Sequence, residues 1–281
     1  MPVSASDVVY GTELVSGGTK QLKLDVYQTG EACTELRPFV MLIHGGGFEE
    51  GSKSMDPWRS LADDITDLGY TAFSIDYRMI GDTPRPSAEF EPVRDDILAA
   101  GIGPLIMNDE EAQADVIASA FEDTATALRW VEANQSDLCV DMSSFAIWGD
   151  SAGAVMALHA AYGMDEYAIS VPRPDVVIDY WGRFIYGSNL IASGDAPVMI
   201  LHGTQDDIVP YSYALDIRNQ ANSASLPYAF YTVTGAGHGF EGIPIDTLRV
   251  NGLTLRQLTL DFVADHLEDG SPGYETHVIQ R

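Results

Sequence analysis

The stretch "WGDSAGAVMALHA" (148–160) sets one serine, Ser151, between Gly149 and Gly153, after apolar residues and ahead of an alanine-rich run. An ordinary strand-to-helix turn has this composition. So does a turn that holds a serine hydroxyl out for attack, where side chains at 149 and 153 would crowd the neighbouring strand and helix. The Gly-x-Ser-x-Gly pattern alone is weak, and its setting decides. Residues 145–148 read as a buried strand and residues from Ala152 onward as a strong helix former. The hydroxyl is then presented at the C-terminal edge of a sheet, where open α/β sheets bind ligands.

A serine hydroxyl needs a base, and six histidines compete for that role. His238 lies in "TGAGHGF", a glycine-rich loop after the last predicted strand that returns to the same edge. His202 ends a strand, His159 sits inside a helix, His44 belongs to a glycine loop, and His266 and His277 fall in the C-terminal region. His238 is therefore the expected base. An imidazole needs an orienting carboxylate, and "HGTQDDIVP" (202–210) offers Asp206 and Asp207, of which only one can point at the ring. Asp150 is too close to the turn to reach the far side of the ring. "HGGGF" (44–48) follows another apolar run. Its glycines free backbone N–H groups to converge on one point, and Gly46 and Gly47 with the N–H of Ala152 are the expected oxyanion donors. G-K-[ST] does not occur, and the one G-x-G-x-x-G match, residues 237–242, opens no helical pattern, which argues against nucleotide binding.

These pieces need a scaffold. Short apolar runs at 38–47, 70–78, 144–151, 175–182, 197–203 and 227–235 read as strands buried on both faces. Helical patterns at 56–69, 120–135, 152–163, 211–223 and 254–267 alternate with them. The alternation predicts an α/β fold with a doubly wound, mostly parallel sheet and helices on both faces, in one domain over 1–281. The first 30 residues suit an antiparallel lead-in hairpin. Residues 79–119, with four prolines and weak periodicity, read as an excursion over the top of the sheet and a partial lid.

Charge and composition exclude other classes. A formal net charge of −27, with lysine only at 20, 23 and 53, argues against nucleic acid and anionic membranes as partners. It marks an acidic surface and fits saline surroundings, where salt screens self-repulsion. No apolar run is long enough to span a membrane, and the N-terminus lacks the pattern of a signal peptide. Two cysteines exclude a disulfide-dense scaffold and a cysteine-based zinc site.

With "HGGGF", "DYR" (76–78), "GDSAG" (149–153), "HGTQDDIVP" and "GAGHGF" in order over about 200 residues, the chain resembles the α/β-hydrolase superfamily. Within it, the likeness is to esterases of the hormone-sensitive-lipase-like and bifunctional acetylxylan/feruloyl type. The resemblance implies Ser151 as nucleophile, His238 as general acid and base, and Asp206 as its partner. Asp206 is preferred to Asp207 because the family's H-G-x-x-D-x-x-V-P spacing lands there. Gly46, Gly47 and Ala152 match the oxyanion positions. Phe48, Asp150, Trp181 and Phe240, beside these motifs, are the expected pocket-lining residues. In such a fold the strands ending at His44 and Trp148 are neighbours. Cys33 and Cys139 precede them, which implies a disulfide worth about 4 kcal/mol in the chain-entropy model and an oxidising compartment. The implied reaction is hydrolysis of short-chain carboxylic esters through an acyl-enzyme, without metal or organic cofactor. Acetyl or feruloyl esters of polysaccharides are the alternative. A prolyl-oligopeptidase-type peptidase, which shares the fold and triad order, is a rival that the resemblance disfavours, since such enzymes normally carry a propeller for which 281 residues leave no room. A catalytically silent binding protein on the same scaffold is the rival from another class.

Overall fold

The computed structural model describes residues 4–102, 106–268 and 270–280. Strands β1 (Ala5–Val15) and β2 (Gly18–Tyr27) form the lead-in hairpin, turning at Gly17. Then follow β3 (Arg37–Ile43), α1 (Trp58–Asp67), β4 (Thr71–Ile75), α2 (Glu91–Ala99), α3 (Glu110–Ala133) and the short α4 (Gln135–Leu138). Next are β5 (Val140–Asp150), α5 (Ala152–Tyr162), β6 (Val176–Tyr180), β7 (Val198–Gly203), α6 (Ser212–Ala224) and β8 (Tyr228–Thr234). The chain closes with β9 (Arg249–Val250), β10 (Leu253–Thr254), α7 (Leu255–Leu267) and β11 (Thr276–Gln280).

Nine strands form one sheet in the order β1-β2-β4-β3-β5-β6-β7-β8-β11, parallel from β4 to β11. Each apolar run splits by parity between two cores. Phe39, Met41, Ile43, Phe145 and Ile147 face one side, with buried residues of α3, α5 and α6. Val40, Leu42, Ala146 and Trp148 face the other, with α1 and α7. Helix α5 is buried along nearly its whole length, and its alanines let it lie close to the sheet. The chain winds outward from β3 to β4 on one side and from β5 onward on the other. The C-terminal ends of β3 and β5 therefore flank the topological switch point, where a crevice opens in such sheets.

Residues 79–119 are more regular than the sequence predicts. They hold α2 and the first turns of α3, which begins at Glu110 because the Asp109 carboxylate caps it by accepting from the Ala112 N–H at 3.1 Å. Residues 103–105 lie outside the described ones. Phe90, Val93 and Ile97 sink into the core, and Arg78 clasps the segment by donating to the Arg85 and Leu14 carbonyls. At the opposite edge from the switch point, Cys33 and Cys139 are joined in a disulfide, Cα–Cα 5.7 Å, across 106 residues. The strand β11 carries no signal among the expected elements; it pairs in parallel with β8 and covers its edge. Among the described residues no helix is long and apolar enough to cross a membrane.

Candidate active site

Ser151 stands between β5 and α5 with φ 49° and ψ −119°, a strained backbone for a residue bearing a side chain. Its two glycines are sterically required. A Cβ at Gly149 would collide with the backbone of Gly153 in α5, and one at Gly153 with the carbonyl of Ile43 in β3. The turn is thus pressed between its own helix and the neighbouring strand, and the Ser151 N–H is tied to the Tyr180 carbonyl at 2.8 Å.

Three distant segments meet at this hydroxyl. His238 Nε2 lies 2.9 Å from Ser151 Oγ, and His238 Nδ1 lies 2.8 Å from Asp206 Oδ2. Asp206 is buried, whereas Asp207 is exposed to solvent. Burial raises the Asp206 carboxyl, but the hydrogen bonds from His202, His238 and the Val209 N–H outweigh it and hold the group well below the usual carboxylate range. The carboxylate thus stays ionised, with Oδ1 accepting from the N–H groups of Ile208 and Val209 at 3.0 and 2.8 Å. His159, His266 and His277 stand apart. His159 is fully buried in α5, its Nε2 accepts from the Ile185 N–H, and desolvation pushes it down to about 3. His266 bonds the Phe262 carbonyl, and His277 pairs with Glu275.

The glycine loop after β3 reaches the same corner. Gly46 has φ 108° and a Cβ there would strike the Glu50 carbonyl, so the tight turn excludes any side chain. The loop is held from both sides. The Gly45 N–H donates to Asp150 Oδ1 at 2.5 Å, and Tyr77 donates its hydroxyl to the His44 carbonyl at 2.9 Å while its ring stacks on His44. Ala152 is the first residue of α5, so its N–H has no acceptor within the helix. Burial pushes the Asp150 carboxyl up to about 6, against the pull of the Gly45 N–H, the His238 charge and a hydrogen bond from Trp181.

A cavity of about 610 Å³ opens on these groups and is lined by Gly46, Gly47, Asp150, Ser151 and His238. Trp58, Leu61, Trp148, Tyr180 and Trp181 add apolar and aromatic walls, Ile208 and residues 242–245 add aliphatic ones, and Glu50, Asp246 and Arg256 add charge. Of the expected pocket residues, Asp150 and Trp181 line it. Phe48 and Phe240 do not, and both depart from the sequence reading for the same reason. Both rings are buried in the core instead of facing the cavity. Phe48 packs edge-on to Tyr77, and Phe240 is sealed against Trp181 at 5.0 Å between centroids. Among the described residues, none of 79–119 lines the cavity; its walls come from α1, α7, the C-terminal ends of β5 and β6 and the segments following β3, β5, β6, β7 and β8. Trp58, Leu61, Arg256 and residues 242–245 were not singled out from the sequence, since no motif marks them. Among the described residues no cluster of His, Cys, Asp and Glu is arranged to hold a metal ion.

Residues 112–180 match a family model described as alpha/beta hydrolase fold, and residues 24–97 match one described as BD-FAE. No curated protein matches the sequence. Similar solved structures include esterase 2 of the planctomycete Thermogutta terrifontis with propionate bound, 19% identical, covering 95% of this chain and 94% of that one at a TM-score of 0.70. The same esterase phosphonylated by cyclosarin is 20% identical over 95% and 94%, TM-score 0.68. A truncated carbohydrate esterase from gut microbiota is 17% identical over 94% and 96%, TM-score 0.65. The chain has the α/β-hydrolase fold.

Proposed function

We propose that this chain is a serine esterase that cleaves carboxylic esters through an acyl-enzyme. The observation that carries the reading is the unbroken hydrogen-bonded line from Ser151 Oγ through His238 to Asp206, beside a cavity. His238 Nε2 takes the proton of Ser151 as Oγ attacks the ester carbonyl, and Asp206 keeps the ring in the tautomer that can accept it. The N–H groups of Gly46, Gly47 and Ala152 receive the negative oxygen of the tetrahedral intermediate. The proton passes to the leaving alcohol as the carbon–oxygen ester bond breaks. Water then repeats the cycle on the acyl-enzyme and releases the acid. The substrate is a small-molecule ester, and no step calls for a metal or organic cofactor.

Short acyl groups are the first choice of substrate. The cavity favours a second reading in which one side of the ester is large and flat. Its volume lies within the about 300–1,000 Å³ that encloses drug-sized ligands, and three of the chain's four tryptophans line it. A feruloyl or sugar ring would stack on such walls, and one of the similar structures is a carbohydrate esterase. The test is a panel of p-nitrophenyl esters from acetate to palmitate, run beside acetylated xylan and methyl ferulate. Hydrolysis is expected on the acetate and butyrate and is lost in Ser151→Ala. Turnover that survives Ser151→Ala overturns the assignment. A preference for methyl ferulate or acetylated xylan over the simple esters selects the second reading.

A further inference from the structure

His202 takes no part in the scheme above, yet it too reaches Asp206. Its Nε2 lies 3.3 Å from Asp206 Oδ2, the same oxygen that faces His238 Nδ1, and 2.8 Å from the Val209 carbonyl. Both neighbours of Nε2 are acceptors, so the proton of this ring sits on Nε2 and is shared between them. Nδ1 is buried with no hydrogen-bond partner among the described residues, so Nε2 carries the ring's polar anchoring. Both side chains are completely buried.

The chain geometry explains the arrangement. His202 belongs to β7, aligned with Thr232 of β8, and four residues later the chain has turned back on itself. Asp206 accepts from the N–H groups of Ile208 and Val209 on Oδ1, while the Val209 carbonyl returns to His202. The acid loop is therefore closed on a residue of the rigid sheet. The two imidazoles share Oδ2, so the placement of this oxygen is set by both.

We propose that His202 is a positioning residue, whose shared Nε2–H fixes the Asp206 carboxylate in the place and orientation that His238 requires. This rests on the serine-esterase reading. Misplacing a reacting group by about 1 Å can cost on the order of 100-fold in rate, so His202 acts on kcat through Asp206 and not on substrate affinity.

The test compares two amides on the full-length protein with p-nitrophenyl acetate. In His202→Gln the side-chain amide reaches the position of Nε2, whereas in His202→Asn it stops near Nδ1. The expected result is kcat within about threefold of the parent for Gln and a loss of roughly 10- to 100-fold for Asn, with KM within about twofold in both. In the Asp206→Asn background, His202→Asn should cost nothing further. Equal kcat in both single variants, equal loss in both, or a loss that persists in the Asp206→Asn background would overturn the proposal. If Asn at 202 does not fold, Gln decides alone, and a loss of tenfold or more there rejects it. A parent protein that fluorophosphonate does not label at Ser151 would count against the esterase reading itself and not against His202.

Discussion

Arg78 and Asp206 are both charged side chains sealed inside this protein, and their surroundings differ in one respect. Arg78 spends its Nε–H on Asp123, its Nη1 protons on the Leu14 and Arg85 carbonyls, and its Nη2 protons on the Ser119 carbonyl and Glu122. Every donor ends on a fixed group of the protein. Asp206 is equally well supplied with donors, but one of them, His238, hands the line on to Ser151, which faces a cavity. A buried charge whose hydrogen bonds close on themselves holds the fold together. One whose chain of bonds opens on a cavity can move a proton. Burial and a carboxylate partner alone do not separate the two cases; the open end does.

Substitutions at the two places should therefore part company. His238→Gln should lower kcat by about 10⁴-fold, as removal of a triad member does, while leaving urea unfolding close to the parent. Arg78→Met should do the reverse. It strands Asp123 and Glu122 in the interior and should cost about 3–5 kcal/mol in urea unfolding, with kcat per folded molecule unchanged. A large kcat loss from Arg78→Met would break the distinction.

Asp179 sharpens the comparison with a smaller effect. It is buried on β6 with Oδ1 accepting from the Gly182 N–H and Oδ2 without a partner among the described residues. Burial pushes its carboxyl up to about 6, with the nearby His202 and the Gly182 hydrogen bond drawing it only part of the way back. A folded-state value above the ordinary one means that the folded protein holds this proton more tightly than the unfolded chain. The stability it gives is present below about pH 4 and is lost as pH rises to about 6 and beyond. Asp179→Asn removes that ionisation. It should stabilise the protein by on the order of 1–2 kcal/mol at pH 8 and leave it unchanged near pH 4, read from urea unfolding at both. Asp206, held low by its donors, carries the opposite sign.

The corner of the site was legible in the sequence because its requirements are local. Glycines at 149 and 153 are demanded by the approach of α5 and β3, and glycine at 46 by a turn that admits no Cβ. The strand and helix pattern was legible for the same kind of reason, since a strand covered on both faces is apolar at every position. What escaped depends on pairs far apart in the chain. The cavity brings Trp58 and Leu61 of α1 together with Arg256 of α7, and nothing in either helix announces the other. Phe48 and Phe240 were misread because proximity to a motif does not reveal whether a ring faces the cavity, as Trp181 does, or the core. The start of α3 was signalled by Asp109 ahead of Glu110 and Glu111 but obscured by the proline-rich stretch before it. The link from His202 to Asp206 needs the loop already folded.

The central claim is that the line from Asp206 through His238 makes Ser151 a nucleophile. Incubation with a fluorophosphonate, followed by peptide mass spectrometry, reads this directly. The account predicts one adduct per chain, on Ser151, forming at least about a thousandfold more slowly in His238→Gln. An adduct on another residue, or equal labelling rates with and without the imidazole, would contradict it.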